Sequence, residues 1–199
     1  ASLMPMRTAI FGGSFNPIHR GHIALADFVV QGGWTDEVWL LVSPQNPLKA
    51  AAGLLPEQLR LALAQQATEN YDRIKVSDFE FHLPRPSFTY KTLAALRESH
   101  PDRSFQILIG ADNWLCFDRW ARHEELLRDY ELLVYPREGY DIHTASLPPN
   151  VRFVPAPLFP FSSTQLREML LRGEELSDIL PQEINKTANI SLLRELLRK

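Results

Sequence analysis

Two histidines three residues apart, His19 and His22, follow a glycine pair in the run Gly12-Gly13-Ser14-Phe15-Asn16-Pro17-Ile18-His19-Arg20-Gly21-His22. At that spacing two imidazoles share one face of a helix's first turn, where both can donate to the same anion. The elements that would place them there surround them. Thr8-Ala9-Ile10-Phe11 is a short apolar run that reads as a buried strand. Gly12 and Gly13 carry no Cβ and accept positive φ, so they suit a point where backbone passes close to a ligand. Asn16 suits an N-cap and Pro17 the first helical turn. This predicts a helix over 18–30 whose unpaired N–H groups face the strand end and attract phosphate. A tight strand-to-helix turn with two surface histidines is the plain alternative. Glycines, cap, proline and His-x-x-His spacing together favour nucleotide handling over it.

A second segment, Phe161-Ser162-Ser163-Thr164-Gln165-Leu166-Arg167, carries related chemistry. Ser162 and Gln165 have capping-box spacing, Pro160 stops the preceding segment and Gly173 is a C-terminal signal, so the segment predicts a helix over 163–172. A simple helix start would explain that much. Three consecutive hydroxyls with Arg167 one turn further in also make a second anion-binding helix end. A triphosphate fits between the two.

Periodicity alternates strand and helix along most of the chain. Strands are expected over 8–11, 37–42, 74–77, 105–109, 131–135 and 151–154, and helices over 18–30, 56–68, 89–99, 123–128, 163–172 and 190–197. Short apolar strands separated by amphipathic helices predict an α/β fold, a doubly wound parallel sheet covered on both faces. Ligands of such folds sit beyond the carboxyl ends of the strands, where both motifs and the Gly110-Ala111-Asp112 turn fall. The Pro-rich stretches 147–150 and 155–160 read as surface loops, and the segment after Gly173 as a small helical appendage. Residues 4–199 are expected to form a single domain, with Ala1-Ser2-Leu3 ahead of Met4 set aside as a remnant.

Composition bounds the rest. The chain has 199 residues, 45% hydrophobic and 23% charged, enough for a substantial core. No run approaches the roughly 18 apolar residues of a membrane span, and no signal-peptide pattern opens the chain, so a soluble cytoplasmic protein is expected. The single cysteine, Cys116, has no disulfide or metal-site partner; it reads as a small buried hydrophobe in a reducing compartment. A net charge of −3 argues against a nucleic-acid surface. Composition leaves open whether the chain is a homo-oligomer. His82, His100, His123 and His143 lack metal-ligand spacing and read as surface or loop residues.

The run from Gly12 to His22 resembles the G-G-x-F-D-P-x-H-x-G-H signature of the nucleotidyltransferase superfamily, with Asn16 in place of the usual Asp. Phe161–Arg167 resembles its I-S-S-T-x-I-R motif. Three more segments are similar to one branch, the bacterial nicotinate-nucleotide adenylyltransferases. Pro86-Ser87-Phe88-Thr89-Tyr90-Lys91-Thr92-Leu93 is similar to P-S-Y-T-x-x-T-L, and the stretch from Ile109 to Trp120 to I-G-x-D-x-x-x-x-F-x-x-W. Val134-Tyr135-Pro136-Arg137-Glu138-Gly139-Tyr140 is similar to V-x-x-R-P-G-Y. The matches run in the family's order from Ile10 to Arg167.

The resemblance implies transfer of the adenylyl group of ATP to nicotinate mononucleotide, giving nicotinate adenine dinucleotide and pyrophosphate. Mg²⁺ would enter with ATP, and no protein metal ligands are expected. It implies catalytic roles for His19, His22 and Arg167. The ATP set is Gly12, Gly13, Ser14, Phe15, Ser162, Ser163, Thr164, Lys49 and Arg137; the acceptor set is Thr89, Asp112 and Trp120. An indole face suits an electron-poor nicotinate ring, and the Ser87–Thr89 turn before a helix can offer donors to its carboxylate. The bland readings are a core Trp120, an N-capping Thr89, a plain Asp-Asn turn at Asp112 and a solvated Arg137.

Two places depart from the family. Pro44-Gln45-Asn46-Pro47-Leu48-Lys49 keeps a basic end in Lys49 but lacks the His of the relatives' P-P-H-K-like loop. Leu180-Pro181-Gln182-Glu183-Ile184 resembles L-P-x-x-V without the Tyr-Ile pair that should follow. Adenylyl transfer to nicotinamide mononucleotide or phosphopantetheine, a non-catalytic nucleotide-binding regulator, and a dinucleotide hydrolase stand as alternatives.

Overall fold

The computed structural model describes residues 4–45 and 53–199. Six strands form one parallel sheet: β1 (Met6–Gly13), β2 (Glu37–Val42), β3 (Ile74–Ser77), β4 (Arg103–Gly110), β5 (Glu131–Tyr135) and β6 (Val151–Phe153). Their order is β3-β2-β1-β4-β5-β6. The chain therefore leaves β1 in one direction and returns at β4 in the other, which opens a crevice beyond the carboxyl ends of that central pair. Among the described residues seven α-helices cover the faces: α1 (Arg20–Gln31), α2 (Glu57–Ala67), α3 (Thr89–Ser99), α4 (Ala111–Leu115), α5 (His123–Asp129), α6 (Ser163–Arg172) and α7 (Thr187–Leu197).

The sheet divides the core. Alternate residues of the strands enter opposite faces, so Ala9, Phe11, Leu40 and Leu108 pack with Ile23, Ala64, Leu166 and Leu193, whereas Ile10, Leu41, Ile107 and Val134 pack with Leu93, Phe117 and Leu126. The C-terminal segment is rooted in the first of these cores through Leu176, Ile179, Leu180, Ile184 and Leu193.

The amino ends of the strands are closed by polar pairs. Glu37, 1% exposed, accepts from Thr8 Oγ1 at 2.8 Å and from Arg103 Nε at 2.7 Å. Burial pushes its carboxyl pKa up, but those two hydrogen bonds with the charges of Arg103 and Lys75 outweigh it and hold it below the usual value.

β2, β3, β5, α3 and α6 have the bounds expected from the sequence. β1 and β4 run longer, because their ends pair with β2 and β5 as far as Gly13 and Gly110. Two expectations are corrected. α1 starts at Arg20 rather than at residue 18, with His19 as its N-cap. The expected turn at Asp112 is the first turn of the short helix α4, N-capped by Gly110.

Candidate active site

Two cavities open at the carboxyl ends of the strands and share Phe11, Gly12, Gly13, Asn113 and Tyr135 as a common wall. The first, of about 270 Å³, lies on the β2–α3 side and is lined by Ser43, Glu80, Ser87, Thr89, Thr92 and Trp120 among others. The second, of about 430 Å³, lies on the β5–α6 side and takes in Ser14, His19, His22, Arg137, Phe159 and Ser162. A Cβ placed on Gly12 would meet nothing within 4 Å, so it would project into open space at the seam.

Around α1 the local structure differs from its sequence signature. Asn16 is not the cap: its side chain is buried and reaches across to the start of α2, with Nδ2 donating to Gly53 O and Oδ1 accepting from Leu55 N, both at 2.9 Å. An imidazole caps instead. His19 Nδ1 accepts from Gly21 N at 2.9 Å, and His22 Nδ1 accepts in return from His19 N at 3.0 Å. This is a capping box built from two histidines, stacked with ring centroids 3.8 Å apart. Arg20 N donates to Ile179 O at 2.8 Å and His22 N to His19 O at 3.2 Å. The opening N–H groups of α1 are thus all engaged, contrary to the expectation that they wait for phosphate.

The hydrogen bonds fix the chemistry of the pair. An Nδ1 that accepts has no proton, so each neutral ring carries its proton on Nε2 and offers one donor. Burial, followed by the Arg137 charge, lowers the His19 pKa from 6.5 to about 4. Burial, then His19 and Arg137, lowers that of His22 well below 6.5. At neutral pH the site presents two uncharged Nε2–H donors. Phe159 stacks on His19 at 5.4 Å, and a Cβ on Gly21 would come within 2.5 Å of the Phe159 ring and 2.7 Å of His19 Cε1. Only glycine fits between them.

α6 begins as expected, with Ser162 Oγ accepting from Gln165 N at 3.2 Å and Gln165 Oε1 accepting from Ser162 N at 2.8 Å. It ends at Gly173, whose φ of 71° is the left-handed conformation expected of that cap. Ser163 Oγ donates to Pro17 O at 3.2 Å, and Arg167 Nη1 to Asn16 O at 2.8 Å. The N–H groups of Ser163 and Thr164, at the first two helical positions, have no bonded partner among the described residues.

The structure brings most of the candidate residues together. Gly12 and Gly13 line both cavities. Ser14, Phe15, His19, His22, Arg137, Ser162 and Ser163 line the larger one, and Thr89 and Trp120 the smaller. Phe15 contributes wall rather than surface: it is 2% exposed, and its ring meets His22 edge-on at 4.9 Å. It is also where positive φ occurs, at 47°, and not at Gly12 or Gly13 as their type suggested. Thr89 opens α3 behind Phe88 as N-cap, so its capping reading does not hold; half-buried Trp120 packs against the second core through Phe117 at 4.9 Å and also lines the smaller cavity. Asp112, Thr164 and Arg167 line neither cavity; Asp112 lies between Gly110 and Asn113, which do. Its Oδ1 is enclosed without a hydrogen-bond partner among the described residues. Lys49 falls outside the described residues.

Several residues escaped sequence reasoning. The Pro-rich stretch 155–160, read as a surface loop, supplies Ala156–Pro160 to the wall of the larger cavity. Glu80 lines the smaller one and accepts from Thr92 Oγ1 at 2.7 Å; burial raises its pKa, against the lowering effect of that bond. Ser87 Oγ, on the same wall and in the turn the sequence offered for the carboxylate, is enclosed and without a partner among the described residues, a detail the sequence did not show. Its place in Pro86-Ser87-Phe88-Thr89, before a helix, was the one available signal.

Known proteins give the arrangement its context. Residues 10–169 match the cytidylyltransferase-like family. A probable nicotinate-nucleotide adenylyltransferase of Bacteroides fragilis is 49% identical over 180 residues, 90% of each chain. One of Porphyromonas gingivalis is 42% identical over 193 residues, 96% of this chain and 98% of the relative. Among solved structures, Plasmodium falciparum nicotinic acid mononucleotide adenylyltransferase complexed with NaAD superposes with a TM-score of 0.76 over 96% of each chain at 21% identity, a likeness of fold. With the glycine seam, the paired imidazoles and the Ser162 helix start in place, the chain belongs to the nicotinate-nucleotide adenylyltransferase family.

Proposed function

We propose that the protein transfers the adenylyl group of ATP to nicotinate mononucleotide, in NAD biosynthesis, and that it does so at the seam over Gly12 and Gly13. One observation carries the reading: a larger cavity with imidazole, guanidinium and helix-end donors meets a smaller one with an indole wall, and the two share Gly12 and Gly13 with Phe11, Asn113 and Tyr135 at the β1–β4 crevice. ATP occupies the larger cavity, with its phosphates between the His19 and His22 Nε2–H groups and the start of α6, and with Arg137, whose charge reaches both imidazoles, on the same cavity's lining. Nicotinate mononucleotide occupies the smaller, its ring on Trp120, a contact worth about 0.5–1.5 kcal/mol beyond burial. Ser87 Oγ and the opening N–H groups of α3 face its carboxylate.

The acceptor's phosphate oxygen attacks the α-phosphorus of ATP in line. A new P–O bond forms, the bond from the α-phosphorus to the bridging oxygen breaks, and pyrophosphate leaves with the electron pair. The residues position two polyanions and stabilise charge on the oxygens that gain it. Neutral imidazoles donate at that centre without holding product pyrophosphate as tightly as two cations would. Arg167, bonded to Asn16 O, ties α6 to the turn and fixes the distance between the two donor sets. The donors on the walls suit phosphate oxygens, and Mg²⁺ entering with ATP would supply further charge neutralisation. A single cysteine and the use of ATP support a place in the cytoplasm.

The test is pyrophosphate release from Mg²⁺–ATP with nicotinate mononucleotide, nicotinamide mononucleotide and phosphopantetheine in parallel at equal concentration. Strong preference for the acid is expected. Comparable rates with the amide, or release only with phosphopantetheine, would overturn the acceptor assignment.

A further inference from the structure

Arg60 of α2 is buried to 1% exposure, yet no carboxylate among the described residues is bonded to it. A buried charge of this kind is expensive unless its donors are used. Here three of them go to backbone, while Nη2, also enclosed, has no hydrogen-bond partner among the described residues. Nε donates to Leu55 O at 2.9 Å, and the two hydrogens of Nη1 go to Ser14 O at 2.7 Å and Ser43 O at 2.8 Å. Burial lowers its pKa, partly offset by the nearby Glu57.

The three carbonyls belong to different parts of the site. Ser14 lines the larger cavity and Ser43 the smaller, while Arg60 lines neither and stands behind both. Asn16 reinforces the same junction by binding Gly53 O and Leu55 N, so both polar backbone groups of Leu55 are held. A carbonyl directed at a buried guanidinium is directed away from the cavity. Released, the oxygens of Ser14 and Ser43 could turn toward the seam, where they would face phosphate oxygens with like partial charge.

We propose that Arg60 is the positioning residue of the phosphate turn: with one nitrogen it joins the walls of the two cavities and keeps their carbonyl oxygens out of the seam. The inference rests on the seam being the phosphate site. The guanidinium fork matters as well as the charge, because an ammonium on a flexible stem cannot hold the three carbonyls in the same geometry.

The experiment measures pyrophosphate binding by titration calorimetry, and KM for ATP, in the full chain and in Arg60→Lys, Arg60→Met and Leu63→Ala. All are compared at a temperature where thermal melts show them folded. Leu63, 1% exposed on the same helix, supplies a destabilised control with the fork intact. Both Arg60 variants should bind pyrophosphate at least tenfold more weakly and raise KM for ATP by a similar factor, with Leu63→Ala near native. If Arg60→Met does not fold, Arg60→Lys decides. Native affinity in Arg60→Lys overturns the positioning role, and equal weakening in Leu63→Ala reduces it to general stability. No pyrophosphate binding by the native chain overturns the site reading itself, and this inference with it.

Discussion

The starts of α1 and α6 look alike in sequence and differ in structure. Each follows a loop, each has a side-chain cap with a reciprocal partner at the third helical position, and each borders the larger cavity. At α6 the cap is a serine, and the N–H groups of Ser163 and Thr164 have no partner among the described residues and can receive an anion. At α1 the cap is an imidazole, and the N–H groups of Arg20, Gly21 and His22 are engaged by Ile179 O and by His19 itself. One helix start offers backbone and the other offers rings. A helix N-terminus is therefore not an anion site by virtue of its position; what its first N–H groups already bind decides.

The largest expected effect breaks the comparison on the α1 side. His22→Ala removes an Nε2–H donor at the reacting centre, and loss of such a donor costs on the order of 10²–10³ in rate. Pyrophosphate release should fall by that factor in the folded variant, measured below a thermal midpoint that also drops because His22 Nδ1 no longer accepts from His19 N; native turnover would remove His22 from the chemistry.

A second effect sharpens it through pH. A His19 pKa lowered from 6.5 to about 4 means the unfolded chain binds its proton more readily than the folded one. The associated stability is complete above pH 6.5 and is lost as pH falls from there toward 4, by up to about 3 kcal/mol. Urea melts across that window should show the loss. His19→Asn, which keeps a capping acceptor, should reduce the dependence without abolishing it, because burial also lowers the His22 pKa well below 6.5.

The smallest effect is expected at α6. Ser162→Ala removes the cap and should cost about 1 kcal/mol of stability, seen in the same melts. It should leave turnover within a few-fold of native, because the available N–H groups belong to Ser163 and Thr164. A loss as deep as that of His22→Ala would make the two helix starts equivalent.

The same pair shows how much was legible. α6 was readable to the residue, since Ser162, Gln165 and Gly173 are local signals satisfied within the helix they bound. α1 was not, because Asn16 spends its amide on Gly53 and Leu55, about forty residues away, and no local pattern encodes that. The histidine spacing was visible, but its meaning as a cap was masked by the rarity of imidazole in that role. Arg60 sits at an ordinary position of an amphipathic helix, and only tertiary packing makes it buried. The Ala156–Pro160 wall has loop composition, and nothing in composition says which side of a loop faces a ligand. The alternating pattern predicted a doubly wound parallel sheet with ligands beyond the carboxyl ends of its strands, but not the strand order that opens the crevice between β1 and β4.

The central claim is that the α1 side of the site works through two neutral rings protonated on Nε2. Nitrogen NMR of the imidazoles of His19 and His22 at neutral pH, before and after addition of pyrophosphate, tests it most directly. Both rings should report an unprotonated Nδ1 and a protonated Nε2 in the free protein, with the Nε2 resonances shifting on addition. Imidazolium rings or Nδ1–H tautomers in the free protein would contradict the account.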